Sequence, residues 1–195
     1  LLIITQSASA EQTITKSRFY ATAFFCENER EVTNGLRAML QQHTSAHHLA
    51  YAFRLQTPLE GNRSHIVQRF SDAGEPSGTA GMPILKMLEG RELVNVCVGV
   101  IRYYGGVNLG TGNLARAYGG TAKMALDACP TASFVEMQEI DLTVTYQQMD
   151  MLTSLLAKCN GVILDKTFGE AIQVIARLPK AQVQAIVGRL SKYGE

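Results

Sequence analysis

SDAGEPSGTAGMP (Ser71 to Pro83) and RYYGGVNLGTGNLARAYGG (Arg102 to Gly120) are two glycine-punctuated stretches, each ending in a helix start, with an amphipathic segment and an apolar strand between them. Glycine reaches backbone angles closed to other residues and leaves N–H groups accessible, so two such loops can build one anion-receptive surface. The apolar strand between them, Leu93 to Tyr103, has a middle that is apolar on both faces, which predicts a covered position in a sheet. These stretches decide the fold of the N-terminal part: a sheet whose covered strand runs directly into a glycine loop and a helix.

Working outward, Phe19, Ala21, Ala23 and Phe25 alternate with Arg18, Tyr20, Thr22 and Phe24, the pattern of a strand over Ser17 to Phe25. Asn28 followed by Glu31 reads as a helix start, and Val32, Leu36, Met39 and Leu40 repeat at helical spacing to about Gln42. A strand near His48 to Gln56, the turn composition of Thr57 to Asn62 (TPLEGN) and a returning strand Ser64 to Phe70 predict a hairpin. A short helix over Pro83 to Leu88 ends at Gly90, and a longer one over Thr111 to Ala128 stops at Pro130.

Pro130 to Ser133 reads as the domain boundary, because a new and complete pattern starts beyond it, dividing the chain into domains 1–133 and 134–195. Beyond it, Ile140, Leu142, Val144 and Tyr146 alternate as a strand, and Met151, Leu152, Leu155 and Leu156 form a helical stripe ended by Gly161. Strands over Val162 to Phe168 and Ala171 to Leu178 flank Gly169, and a helix spans Lys180 to Tyr193. The order β-α-β-β-α is that of a ferredoxin-like unit lacking its last strand.

Composition narrows the function classes. At 195 residues and 46% hydrophobic the chain can bury a core, and a formal net charge of +1 gives no global pull toward nucleic acid or membrane, so a polyanion site requires local clustering. Cys26, Cys97, Cys129 and Cys159 are scattered without a CxxC, which fits reduced thiols in the cytoplasm. No apolar run approaches the roughly 20 residues of a membrane span, and no signal-peptide pattern opens the chain. Leu1 is not a methionine, so the natural start is expected to lie upstream.

Gly110, Gly112 and Ala115 fit G-x-G-x-x-A, but the loop from Tyr104 is too long for a dinucleotide fold and Asp127 falls on the helix itself. No P-loop is present. His43 and His47 have the spacing of two helical ligands, yet the predicted helix ends there and the Glu of H-E-x-x-H is missing, so neither a metal nor another cofactor is expected. If His47 and His48 lie on a strand, they point to opposite faces.

The cations beside the second stretch carry the anion reading. Arg116 and Lys123 are two helical turns apart and share a face, and Arg102 and Tyr104 share a strand face, presenting a guanidinium and a ring together. Gly105, Gly106, Gly110 and Gly112 allow close backbone approach, or serve tight packing alone. In the first stretch, Asp72 and Glu75 read either as an acid/base pair with His48 or as turn chemistry, with Ser77 or Thr79 capping the next helix.

Both stretches resemble signatures of the IMPACT/YigZ family, the first S-D-D-G-E-P-x-G-T-A-G-x-P and the second R-Y-[YF]-G-G-x-x-L-G-x-G-G-L-x-R-A-Y. Lys16-Ser17-Arg18-Phe19 is similar to the family's early K-S-R-F element, and His48 with Tyr51-Ala52-Phe53 to its histidine-containing strand. Three positions depart: Ala73 replaces a second Asp, Ala50 a frequent Cys and Asn113 a Gly. The loss at Ala73 argues against a catalytic carboxylate pair; Asn113 is tolerable as a residue that enters left-handed conformations.

The resemblance implies an α+β fold in two parts: an N-terminal left-handed βαβ domain like domain IV of elongation factor G, and a ferredoxin-like C-terminal domain like that factor's domain V. Eukaryotic members restrain the starvation-responsive kinase through its activator and carry an additional N-terminal domain with no counterpart in these residues, so no protein partner is transferred. For two-domain bacterial-type members it implies contact with RNA or the ribosome and a role in translation regulation. The expected site comprises Arg102, Tyr104, Gly105, Gly106, Gly110, Gly112, Arg116 and Lys123, with Lys16, Arg18 and His48 as secondary members. The alternative is an enzyme acting on a phosphorylated or carboxylated small molecule through Asp72, Glu75 and His48.

Overall fold

The covered strand is the centre of a five-stranded antiparallel sheet. In a computed structural model, which describes residues 1–46, 48–59 and 63–193, the first ten elements are β1 (Leu2–Ile4), β2 (Ala8–Ile14), β3 (Ser17–Phe25), α1 (Glu29–Gln42), β4 (His48–Leu59), β5 (Arg63–Ser71), α2 (Gly81–Gly90), β6 (Val96–Tyr103), α3 (Thr111–Asp127) and β7 (Thr131–Ser133). The sheet order is β2-β3-β6-β4-β5. Val96, Val98 and Val100 of β6 are buried in the cluster formed with α2 and α3, whereas Cys97 belongs to the cluster with Val32 of α1. Gly99 admits Met39 and Leu36 of α1 against the strand: a Cβ there would lie 2.7 Å from the Met39 sulfur.

Helices therefore cover both faces, and this has a topological consequence. β3 and β4 are both antiparallel to β6, hence parallel to each other and joined through α1. β5 and β6 are both antiparallel to β4 and are joined through α2. Each crossover skips one strand, the two return in opposite senses along chains of opposite direction, and their helices lie on opposite faces, so the two have opposite hands. One is left-handed, against the strong right-handed preference of such units.

The molecule is a mixed α+β protein with two compact units, Leu1–Phe134 and a second beginning at Val135. The second unit contains β8 (Met137–Val144), α4 (Tyr146–Lys158), β9 (Val162–Phe168), β10 (Ile172–Pro179) and α5 (Val183–Lys192). Its sheet order β8-β10-β9 is antiparallel, matching the first three strands of a ferredoxin-like sheet. Its own core joins Leu152 and Leu156 of α4, Val174 and Leu178 of β10, and Ile186 and Leu190 of α5.

Several local expectations are corrected. Tyr146 is not on a strand: the Thr145 hydroxyl accepts from the Gln148 N–H and the Gln148 amide accepts from the Thr145 N–H, a capping box that turns the chain into α4. The segment read as the domain boundary also holds a short strand, β7, which pairs with β1 near the chain start, and β2 completes a hairpin with β3. The covered strand begins at Val96 instead of Leu93. β4 runs to Leu59, further than the expected strand; Glu60 to Asn62 of the expected turn, and His47, lie outside the described residues.

Candidate functional site

One end of the five-stranded sheet collects the start of β3, the start of β4, the end of β5 and the end of β6. Arg102 stands opposite Phe19 on β3 and His48 on β4. The end of β5 leads into the first glycine stretch, and β6 into the second. Thus Lys16 to Arg18, His48, Asp72 to Glu75 and Arg102 to Gly106 meet although they are scattered over ninety residues of sequence.

At its floor is a buried ion pair. Arg102 Nη1 donates to both Glu75 oxygens, at 2.8 and 3.0 Å, and the two side chains are 6% and 5% exposed. Two further hydrogen bonds hold the pair in place. The Tyr118 hydroxyl donates to Glu75 Oε1 at 2.7 Å, and Arg102 Nη2 donates to Ser17 Oγ at 3.3 Å. Burial first, and then the Glu75 contact, push the Tyr118 hydroxyl far above the ordinary phenol range, so it remains a donor. Arg102 Nε is buried without a hydrogen-bond partner among the described residues. His48 stands at the margin, partly exposed: its Nδ1–H donates to the Ala73 carbonyl at 2.8 Å, which leaves Nε2 facing Glu75 Oε1 at 4.0 Å.

Asp72 has a different task. Its carboxylate accepts from the N–H groups of Gly78, Ala80 and Gly81 at 2.8, 3.0 and 2.8 Å, capping α2 from eight and nine residues upstream. Desolvation acts to raise its pKa, but these three donors together outweigh it and hold the group below its ordinary value of 3.8. Neither Ser77 nor Thr79 caps α2; the Thr79 hydroxyl instead donates to the Pro76 carbonyl.

Above the floor the surface is cationic. Tyr104 lies 5.2 Å from the Arg102 guanidinium and is 41% exposed, with its hydroxyl donating to Asn108. Lys16 is exposed in the two-residue turn of the β2–β3 hairpin, where Thr15 and Lys16 take φ of 44° and 67°. Gly105 packs directly on this turn: a Cβ would lie 2.2 Å from the Lys16 carbonyl, and the Gly105 N–H donates to Ser17 Oγ. Arg18 is exposed on the opposite face of β3 from Phe19, and Gly106 is exposed beyond Gly105.

The loop ends at Gly110, whose φ of 76° turns the chain into α3; as the N-cap residue of this 17-residue helix it has no side chain to cap it. Arg116 is exposed one turn inside, its Nη2 donating to Asn113 Oδ1 at 2.7 Å, and Asn113 Nδ2 donates back to the Leu109 carbonyl. Asn113 is thus helical and acts through its amide, correcting the left-handed role expected for it. Gly112 exposes its backbone beside the Arg116 guanidinium, where a Cβ would stand 3.8 Å from Nη2. Lys123 is further along and pairs with Asp127 at 2.7 Å, which Arg91 also contacts.

The sequence reading therefore lists residues of two kinds: Arg102 and Glu75 in the floor, and Tyr104, Lys16, Arg18 and Arg116 on the surface. It missed Ser17 and Tyr118 as partners of the floor. Tyr118 is 0% exposed, and a tyrosine at a buried helix position needs a hydroxyl partner where phenylalanine does not; that was the available signal.

A two-unit α+β protein with a left-handed crossover and a buried Arg–Glu pair beneath two glycine loops is a narrow class. The model of the Impact N-terminal domain matches residues 15–126, and that of a domain of unknown function (DUF1949) matches residues 142–192. The IMPACT family member YigZ of Escherichia coli K12 is 30% identical over 192 residues, covering 98% of this chain and 92% of its own. An IMPACT family member of Thermus thermophilus is 37% identical over 166 residues, covering 85% and 86%. A solved structure described as that of a hypothetical protein superposes with a TM-score of 0.73 at 30% identity, covering 98% and 91%. The chain belongs to the IMPACT family.

Proposed function

We propose that the chain binds RNA through its phosphates, at the sheet end that carries the two glycine loops, in a cytoplasmic, translation-regulating role. The observation that supports this most is the start of α3. A long helix opens without a side-chain cap, its exposed Gly112 lies beside Arg116, and Arg116 is held over that first turn by Asn113. Unpaired N–H groups at the positive end of a helix macrodipole, with a guanidinium alongside, suit a phosphate. Lys16 and Arg18 extend the positive surface across the sheet end, and neither is in an ion pair among the described residues. With a formal net charge of only +1 over the whole chain, the attraction has to come from this local cluster.

The ribosomal setting rests on the likeness to elongation factor domains IV and V that the family resemblance implies, which is analogy. Four free cysteines fit the cytoplasm, and no helix of the described residues is long and apolar enough to cross a membrane. Fluorescent single-stranded RNA titrated against the wild type and an Arg116→Ala/Lys16→Ala variant tests the reading. Salt-sensitive binding that weakens at least tenfold in the variant supports it. Absence of binding at low salt, or equal affinity in both, refutes it.

A second reading, an enzyme acting on a phosphorylated or carboxylated small molecule, is favoured by one observation: buried Glu75 facing His48 Nε2, with the ring orientation fixed by Ala73. Its substrate would have to reach a carboxylate already engaged by Arg102 and Tyr118, which is why RNA binding is the conclusion.

A further inference from the structure

On the face of β3 and β6 opposite to the ion pair lies a second cluster that combines a cation with aromatic rings. Arg18 and Tyr103 are register partners on the two strands. The Arg18 guanidinium lies 5.1 Å from the Tyr103 ring centroid, and its Nη1 donates to the Tyr20 hydroxyl at 3.4 Å. Tyr20 packs edge-on against Tyr103 at 5.7 Å, and His43, at the end of α1, lies 5.0 Å from Tyr20 and shares a 3.0 Å hydrogen bond with the Tyr103 hydroxyl. The three rings are half-buried and mutually braced, whereas Arg18 is exposed.

Such bracing is informative. A free arginine on a surface samples many rotamers, and ordering it costs entropy; here the Tyr103 ring and the Tyr20 hydroxyl both contact the guanidinium and restrict it. The guanidinium carbon lies over the Tyr103 ring and the side chain is exposed, and a planar cation backed by an aromatic ring is a stacking surface for a nucleobase. No carboxylate pairs with Arg18 among the described residues, so its charge is uncompensated. Glu11, the register partner of Tyr20 on β2, repels phosphate from that side, which leaves Lys16 as the direction in which the backbone runs.

We propose that Arg18, braced by Tyr103 and Tyr20, is a stacking platform for one unpaired base of a single-stranded RNA whose phosphates are held at the other face of the sheet end. This rests on the RNA reading above and adds to it: the bound nucleic acid is single-stranded at this position, and the strand crosses the sheet end from the α3 start, past Lys16, to Arg18. The alternation of β6 makes the arrangement economical, since Tyr104 is directed to Arg102 on one face and Tyr103 to Arg18 on the other.

The test scans a single abasic site along a short RNA, so that phosphates are kept and one base at a time is removed. In the wild type, one position is expected to cost about tenfold in affinity. In Arg18→Lys, which keeps the charge and removes the plane, that penalty is expected to disappear while the dependence of binding on salt stays the same; Tyr103→Leu, with its fold checked by circular dichroism, is expected to lose the same penalty. Abasic penalties that are identical in wild type and Arg18→Lys overturn the platform and leave the RNA reading standing. Failure of the intact RNA to bind the wild type at low salt overturns both.

Discussion

Glu75 is the residue on which the sheet end depends. It neutralises Arg102, receives Tyr118 and faces His48, and all four come from separate elements. Removing one partner of a buried pair leaves the other charge uncompensated, at a cost of about 3–5 kcal/mol. Glu75→Ala is expected to lose stability of that order in urea unfolding, and Glu75→Gln to lose less, because the amide still offers an acceptor to Arg102 or Tyr118. A loss below about 1 kcal/mol in Glu75→Ala would show that the pair does not hold the floor together. The same reasoning makes Arg102→Ala a poor probe of RNA binding, since it disturbs the fold beneath the site. Sequence pattern could not separate the two carboxylates of the first glycine stretch: both sit among turn residues, and the partners that distinguish them, three N–H groups for Asp72 and Arg102 for Glu75, become neighbours only in the folded chain.

Elements are positioned by polar contacts that the hydrophobic pattern does not contain. α2 is capped by Asp72 from across a turn, and the low pKa of that carboxylate couples the cap to pH. A group whose pKa is lower folded than unfolded contributes fully above its unfolded value, near 4, and the contribution is lost as pH falls through the folded value. Asp72→Ala is therefore expected to be less stable than wild type at pH 6 and to show a smaller further loss between pH 5 and pH 2; parallel stability curves over that range would remove Asp72 from the cap. Long periodic elements were legible because burial imposes their period: β6 through its two apolar faces, α1 through Val32 and Met39. β1 and β7, three residues each, are too short to carry a period, and Tyr146 continued an alternation that the Thr145 cap interrupts.

In the whole molecule, the proposed attraction for a polyanion is local. With a net charge of +1, the chain has no long-range field to draw nucleic acid, so RNA binding as proposed has to come from Arg116, Lys16 and Arg18 together with the start of α3. The two glycine stretches were legible because their composition is unusual, and the K-S-R-F element through its resemblance to the family's pattern. The division of labour among them was not, because burial decides it: Arg102 reads as a ligand-facing cation and is instead the floor, while Arg116, Lys16 and Arg18 are cations that stay exposed. The most direct measurement is the slope of log affinity against log salt for single-stranded RNA, where each neutralised phosphate contributes about 0.7. The slope is predicted to fall in magnitude by about 1.4 in Arg116→Ala/Lys16→Ala, for two lost phosphate contacts. A slope identical to the wild type, or wild-type binding too weak to measure at low salt, would contradict the account.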